Sequence, residues 1–260
     1  MVYAQELETA KRAALLAGAE IMKIYTSDSG FAVEHKGDHS PLTVADKRAN
    51  QVIVDILRER FPDYSLLSEE EKDEGRRLKN SLCFIVDPLD GTKEFIKQNG
   101  QFTVNIALVR EHRSVMGVIY APAKGELYFA SEGSGAFFAL DGEEPVQIEV
   151  SNRIEDLTIA VSLSHAGEQE QRLIDKYGIQ RCVRMGSSLK GCAVARGEAD
   201  IYFRFGTTME WDTAAMQCIA EEAGGIFRQM DDSLMCYNRE DSLNAKGFYI
   251  INRIENKLVL

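Results

Sequence analysis

The stretch Ser81-Leu82-Cys83-Phe84-Ile85-Val86-Asp87-Pro88-Leu89-Asp90-Gly91-Thr92 constrains this chain more than any other. An apolar, β-favouring run ends on two carboxylates three residues apart, followed by a glycine and a hydroxyl. A buried strand reads this way when it delivers ligands at its own C-terminal end. Pro88 has no N–H, so it is expected to block further strand pairing and to stiffen the turn, letting Asp87 and Asp90 converge. Clustered carboxylate oxygens are what a hard divalent cation such as Mg²⁺ needs. Gly91 lets backbone come close to a bound anion, and the Thr92 hydroxyl can orient a water. Asp-Pro and Asp-Gly are each ordinary turn dipeptides, so the metal reading rests on the whole string and on acidic positions elsewhere.

A chain of 260 residues can bury a substantial core as one large domain or as two intimately packed halves. Its net charge of −11 argues against a general nucleic-acid or anionic-membrane binder. An anionic small substrate stays admissible, because bound metal ions can reverse the local field. Five cysteines, an odd number with no C-x-x-C pair, read as reduced thiols of a cytoplasmic protein. Met1 to Glu8 lacks the basic start and apolar run of a signal peptide, and no stretch approaches the ~18–20 uninterrupted apolar residues of a membrane span.

Leu7, Ala10, Ala14, Ala17, Ile21 and Tyr25 recur at helical spacing. A second helix opens at Thr43-Val44-Ala45-Asp46, carries Val52, Ile53, Ile56 and Leu57, and ends at Phe61-Pro62. From Ser81 to about Val150 short strand-like runs are separated by Gly, Pro and charged turns, which predicts a mostly antiparallel sheet backed by the two helices. After Asn152, strand-like and helical runs alternate. The expectation is an α/β protein, of layered α+β character, with an N-terminal half over 1–151 and a C-terminal α/β half over 152–260. No Pro/Gly-rich linker separates the halves, so they should share an interface.

Three further acidic positions stand out. Leu66-Leu67-Ser68-Glu69-Glu70-Glu71 ends an apolar run in glutamates, which also fits a solvated charge cluster. Asp212 in Glu210-Trp211-Asp212-Thr213-Ala214-Ala215 sits where a helix starts and could be a plain N-cap. Asp46, three residues after Thr43, fits a capping box. Taken together, Glu69-Glu70, Asp87-Pro88-Leu89-Asp90-Gly91-Thr92 and Trp211-Asp212-Thr213-Ala214-Ala215 resemble the Mg²⁺-dependent, lithium-sensitive phosphatase superfamily. That group includes inositol monophosphatase, fructose-1,6-bisphosphatase and 3′(2′),5′-bisphosphate nucleotidase. The resemblance runs from about Ala4 to Tyr249. Gly91-Thr92-Lys93-Glu94-Phe95 is similar to the bisphosphate nucleotidase branch. So are Ser162-Leu163-Ser164-His165 and Gly186-Ser187-Ser188-Leu189-Lys190, which match substrate-contacting segments, although a surface histidine and a solvated lysine are the simpler readings of each alone. Leu163 stands where that branch has Arg, and Thr207 where it has Pro.

The resemblance implies a sugar-phosphatase-like α/β/α/β/α sandwich. It implies that Glu69, Asp87, Asp90, Asp212 and the Leu89 carbonyl form a shell for two or more Mg²⁺ ions. Thr92, oriented by Asp46, would accept a proton from the attacking water, which Glu69 helps to hold. Substrate contacts would come from Glu69, Leu89, Asp90, Gly91, Thr92, Ser162, His165, Gly186, Lys190 and Asp212. The implied reaction is removal of the 3′-phosphate of 3′-phosphoadenosine 5′-phosphate to give AMP, with the sulfated analogue, 3′-phosphoadenylyl sulfate, as a second substrate. At this level an inositol or sugar monophosphatase, and a catalytically idle metal-dependent nucleotide sensor, stay open. Oligomeric state is not legible.

Overall fold

The structure, a computed structural model, describes residues 2–27, 33–35, 41–163 and 167–260, and over 33–35 and 41–43 it describes the backbone alone. Helix α1 (Ala4–Tyr25) buries Leu7, Ala10, Ala14, Ala17 and Ile21 along one face. These small side chains let it lie close against α2 (Val44–Arg60), which presents Ala45, Ala49, Ile53 and Leu57. A short antiparallel ribbon of β1 (Val33–His35) and β2 (Pro41–Thr43) joins them.

The first sheet is built from β3 (Ser65–Ser68), β4 (Leu82–Asp90), β5 (Thr103–Arg110), β6 (Arg113–Ala121), β7 (Glu126–Ser131), β8 (Ala136–Leu140) and β9 (Val146–Ile148), in that order. Only β3 and β4 run parallel; every later pair is antiparallel. One turn of helix, α3 (Thr92–Ile96), follows β4. The second sheet contains β10 (Thr158–Ser162), β11 (Arg181–Met185), β12 (Ile201–Arg204), β14 (Ile226–Gln229) and β16 (Phe248–Ile251), ordered β11-β10-β12-β16-β14. Its helices are α4 (Glu168–Tyr177), α5 (Leu189–Ala195) and α6 (Glu210–Glu222), and a small ribbon pairs β13 (Thr208–Met209) with β15 (Leu243–Asn244).

The two faces of β4 and β5 show how the layers stack. Phe84, Val86, Val104, Ile106 and Leu108 face α1 and α2. Cys83, Ile85, Ala107 and Val109 face the other way, into a core shared with Ala214, Met216 and Cys218 of α6, Leu189 and Cys192 of α5, and Tyr202, Phe248 and Ile250 of the second sheet. Leu173 of α4 covers the far side of that sheet against Ile159, Val161, Ile201 and Phe203. The order α/β/α/β/α therefore follows from the period-2 alternation of the central strands, each buried on both faces.

Pro88 does not stop the strand as its missing N–H led us to expect. β4 continues to Asp90, with Asp87 opposite Asn105 and Asp90 opposite Thr103, and the register shifts between them. This is a bulge, which absorbs an unpaired proline without a lost ladder bond. Its effect on side-chain direction is decisive. In a regular strand Asp90 would share a face with Phe84 and Val86; the extra residue turns Leu89 to that face and brings Asp90 round to the side of Asp87. In the second sheet two strands escaped the sequence reading. β11 is an edge strand with exposed Arg181 and Cys182, and β14 is only four residues long with Arg228 and Gln229 at its end.

Candidate active site

Asp87, Asp90 and Asp212 meet at the junction of the two sheets. Each offers a carboxylate oxygen, and these oxygens lie within 4.8 Å of one another. Two come from the bulged end of β4. The third comes from the first turn of α6, where Asp212 is not the N-cap. The helix begins two residues earlier, at Glu210, and Asp212 Oδ2 accepts the Met209 N–H at 2.6 Å. That bond leaves Asp212 anchored by one oxygen to its own helix start. Glu69 follows β3, whose parallel pairing with β4 carries it to the same end of the sheet; its N–H donates to the Val86 carbonyl at 3.2 Å.

The electrostatics are unfavourable for a bare protein. Asp87 is fully buried, and its carboxyl is held well above the usual range, first by desolvation and then by the charges of Glu69, Asp90, Asp212 and Asp46. Asp212 is pushed up to about 8, again by burial and then by Asp90; the Met209 N–H and Arg204 oppose the shift. Asp46, buried in the first turn of α2, thus stands close enough to Asp87 to repel it. The donors are all oxygen, with no thiol or imidazole among them, the set preferred by hard divalent cations.

These carboxylates form one wall of a cleft of about 480 Å³, the size of a small-ligand site. Of the site residues named from the sequence, Glu69, Leu89, Gly91, Thr92, Ser162, Gly186 and Lys190 line it as well. Asp46 acts on Asp87 without lining the cleft, and His165 lies outside the described residues. Gly91, at φ 90°, is the N-cap of α3; a Cβ there would stand 3.2 Å from both the Gln101 carbonyl and Ser187 Cβ, so any other residue would be strained. Thr92 Oγ1 lies 3.4 Å from the Leu89 carbonyl. The Gly186 N–H is taken by Gln101 Oε1 at 2.7 Å, so this residue serves the site through close packing.

Lys190 is not a solvated lysine. It is buried, donates to the Ser187 carbonyl at 2.6 Å, and sits 5.5 Å from the centre of the Tyr202 ring. Burial lowers its pKa to about 8 against the pull of Asp90. Arg204, which sequence reasoning did not single out, joins it at the C-terminal end of β12. The available signal was positional: strand ends at a change of sheet order commonly host ligands. Thr207, the departure from the nucleotidase pattern, also lines this cleft.

Comparison with known proteins gives this arrangement its context. The inositol monophosphatase family profile matches residues 3–258. The chain belongs to the inositol monophosphatase family. Within that family it is 39% identical to the 3′(2′),5′-bisphosphate nucleotidase CysQ of Escherichia coli K12 over 236 residues, 90% of this chain and 94% of that protein. The CysQ nucleotidase of Salmonella typhimurium is 38% identical over 245 residues, covering 94% and 98% of the two chains. The crystal structure of CysQ from Bacteroides thetaiotaomicron superposes with a TM-score of 0.84 at 39% identity, over 97% of this chain and 99% of that one. An inositol monophosphatase from Thermotoga maritima gives 0.78 at 28% identity, over 95% and 92%. The described part of this chain has no helix long and apolar enough to cross a membrane.

Proposed function

We propose that this chain is a Mg²⁺-dependent phosphomonoesterase that converts 3′-phosphoadenosine 5′-phosphate to AMP and phosphate, and also accepts 3′-phosphoadenylyl sulfate. The observation that carries the reading is the placement of Lys190 and Arg204 in the same cleft as Asp87, Asp90 and Asp212. One wall suits a cation and the transferred phosphoryl group; the other suits a second anionic group on the same substrate. The bisphosphate nucleotidase relatives supply the chemical identity of that substrate.

The acidic wall fits a divalent cation because its oxygens converge and the Asp87 and Asp212 carboxyls are raised by burial and by their neighbouring carboxylates. Glu69, Asp87, Asp90, Asp212 and the Leu89 carbonyl would hold it. A bound Mg²⁺ supplies Lewis-acid polarisation of the phosphoryl group and offsets charge that develops in displacement at phosphorus. The remaining steps belong to the chain. Thr92 Oγ1 and Glu69 orient the attacking water, and Thr92 passes a proton toward the buried Asp46 carboxylate. Gly91 permits close approach of the phosphate to the backbone. Lys190, fixed over Tyr202, and Arg204 hold the 5′-phosphate, while Ser162 borders the nucleotide and the nucleotidase resemblance assigns His165 a contact there.

The test is phosphate release from a substrate panel under Mg²⁺. The expected order in kcat/KM is 3′-phosphoadenosine 5′-phosphate above inositol 1-phosphate and fructose 1,6-bisphosphate. Lys190→Ala should raise KM for the nucleotide far more than it affects a small phosphate monoester. A preference for inositol 1-phosphate would leave a phosphatase with a different substrate. No release from any ester would leave a binding protein.

A further inference from the structure

Three buried side chains near Asp90 take no part in the chemistry described so far. Thr103 and Asn105 stand opposite Asp90 and Asp87 in the β4·β5 ladder, on the face turned toward the second half of the chain. Thr103 Oγ1 donates to Asn105 Oδ1 at 2.9 Å. With its oxygen so engaged, the Asn105 amide donates through Nδ2 to Ser188 Oγ, also at 2.9 Å. The lone hydroxyl proton of Ser188 is then directed at Asp90 Oδ2, again at 2.9 Å. The next acceptor near Ser188 Oγ, the Asp212 carbonyl, is farther off at 3.4 Å. All three residues are at most 1% exposed, so water does not compete for these bonds.

The chain of donors has one direction. Each acceptor is polarised by the donor behind it, and the series ends on a carboxylate. It also crosses between the halves: Thr103 and Asn105 belong to the first sheet, whereas Ser188 precedes α5 in the segment that carries Lys190. That segment is held in a costly shape. Ser187 sits at φ 44°, left-handed for a non-glycine residue, with its hydroxyl 3.3 Å from Thr103 Oγ1 and its carbonyl accepting from Lys190. The same two β5 residues therefore brace Asp90 and the turn that presents Lys190.

We infer that Ser188 is a positioning residue that, backed by Asn105 and Thr103, fixes which Asp90 oxygen is offered to a metal ion. With Oδ2 accepting the serine proton, Oδ1 is the oxygen outside that bond. The inference rests on the reading of Asp90 as a metal ligand. Residues that orient a ligand from behind typically alter metal affinity about 10–100-fold when removed.

The experiment measures Mn²⁺ binding to the whole, metal-stripped protein by electron paramagnetic resonance, without substrate. Wild type, Ser188→Ala, Ser188→Thr, Thr103→Val and Asp90→Asn are compared, with thermal unfolding recorded for each. Ser188→Ala should weaken Mn²⁺ binding about tenfold with little change in Tm, and Ser188→Thr, which keeps the proton, should bind within about threefold of wild type. Thr103→Val should produce a smaller loss in the same direction, and it carries the test if Ser188→Ala does not fold. Wild-type affinity in Ser188→Ala, or in Thr103→Val where the alanine variant is unfolded, overturns the inference. So does equal loss in Ser188→Ala and Ser188→Thr, since packing rather than the proton would then be responsible. Undiminished binding in Asp90→Asn would instead overturn the metal reading beneath it.

Discussion

Asp87 and Asp200 are both completely buried, yet the chain treats them in opposite ways. Asp200 is surrounded by donors. Thr158 N–H reaches Oδ2 at 2.7 Å, Arg153 Nε lies 3.0 and 3.1 Å from its two oxygens, and Ser151 and Asn252 complete the set. Glu210, also buried, is met by the N–H groups of Asn238 and Arg239 at 2.6 and 3.0 Å and by Arg239 Nε. Asp87 accepts one backbone N–H, that of Leu89 at 3.1 Å, and faces Glu69, Asp90, Asp212 and Asp46, every one of which raises its pKa. A buried charge must be paired or neutralised. The chain does so internally for Asp200 and Glu210, whereas around Asp87 it concentrates charge of one sign. On the proposed reading, that difference separates an acid that is architecture from one that would hold a cation from solution.

The comparison breaks most visibly in turnover. Asp87→Asn and Asp90→Asn should each lower kcat/KM by at least about 10³-fold, since metal stabilisation of phosphoryl transfer is worth several kcal/mol. Asp200→Asn should leave turnover close to wild type while the protein is folded. Near-normal activity in Asp90→Asn at saturating Mg²⁺ would dissolve the distinction.

Stability should respond in the reverse order. Asp200→Asn removes an acceptor shared by several charge-assisted bonds and should cost about 2–3 kcal/mol, read by denaturant unfolding. Asp87→Asn relieves repulsion, so the metal-free variant should unfold at a higher temperature than metal-free wild type. A lower Tm would mean that Asp87 is matched within the chain after all.

A smaller effect should appear in pH dependence. The Asp212 carboxyl is raised to about 8 in the folded protein from an ordinary 3.8, and Asp87 is raised as well. A raised carboxyl binds its proton more tightly when folded, so its contribution is complete below about pH 4 and is lost as pH rises through about 8. Metal-free protein should therefore show a falling Tm between pH 5 and 8.5, and saturating Mg²⁺ should flatten the trend by competing with the protons. A Tm that rises over this interval without metal would contradict the assignment.

Much of this site was legible in the chain because local chemistry and local geometry coincide there. Asp87, Asp90, Gly91 and Thr92 are consecutive in effect, and a buried strand could only deliver them at its end. The bulge that puts both aspartates on one face was not legible, because Pro88 reads as a stop until the partner residues Thr103 and Asn105 are known. Glu69 looked like solvated charge for the same reason: its position depends on the parallel pairing of β3 with β4, which no short-range pattern records. Arg204 and Ser188 are ordinary residue types whose proposed roles depend on where the second half of the chain meets the first sheet. Strand β11, with exposed Arg181 and Cys182, lacks the apolar alternation that betrays a central strand.

The central claim is that the acids around Asp87 await a cation, whereas Asp200 is already satisfied. Calorimetric titration of metal-stripped protein with Mg²⁺, comparing wild type, Asp87→Asn and Asp200→Asn, tests it most directly. Saturable binding in wild type, retained in folded Asp200→Asn and abolished in Asp87→Asn, is the result this account predicts. Binding that survives in Asp87→Asn, or that is absent from wild type, would contradict it.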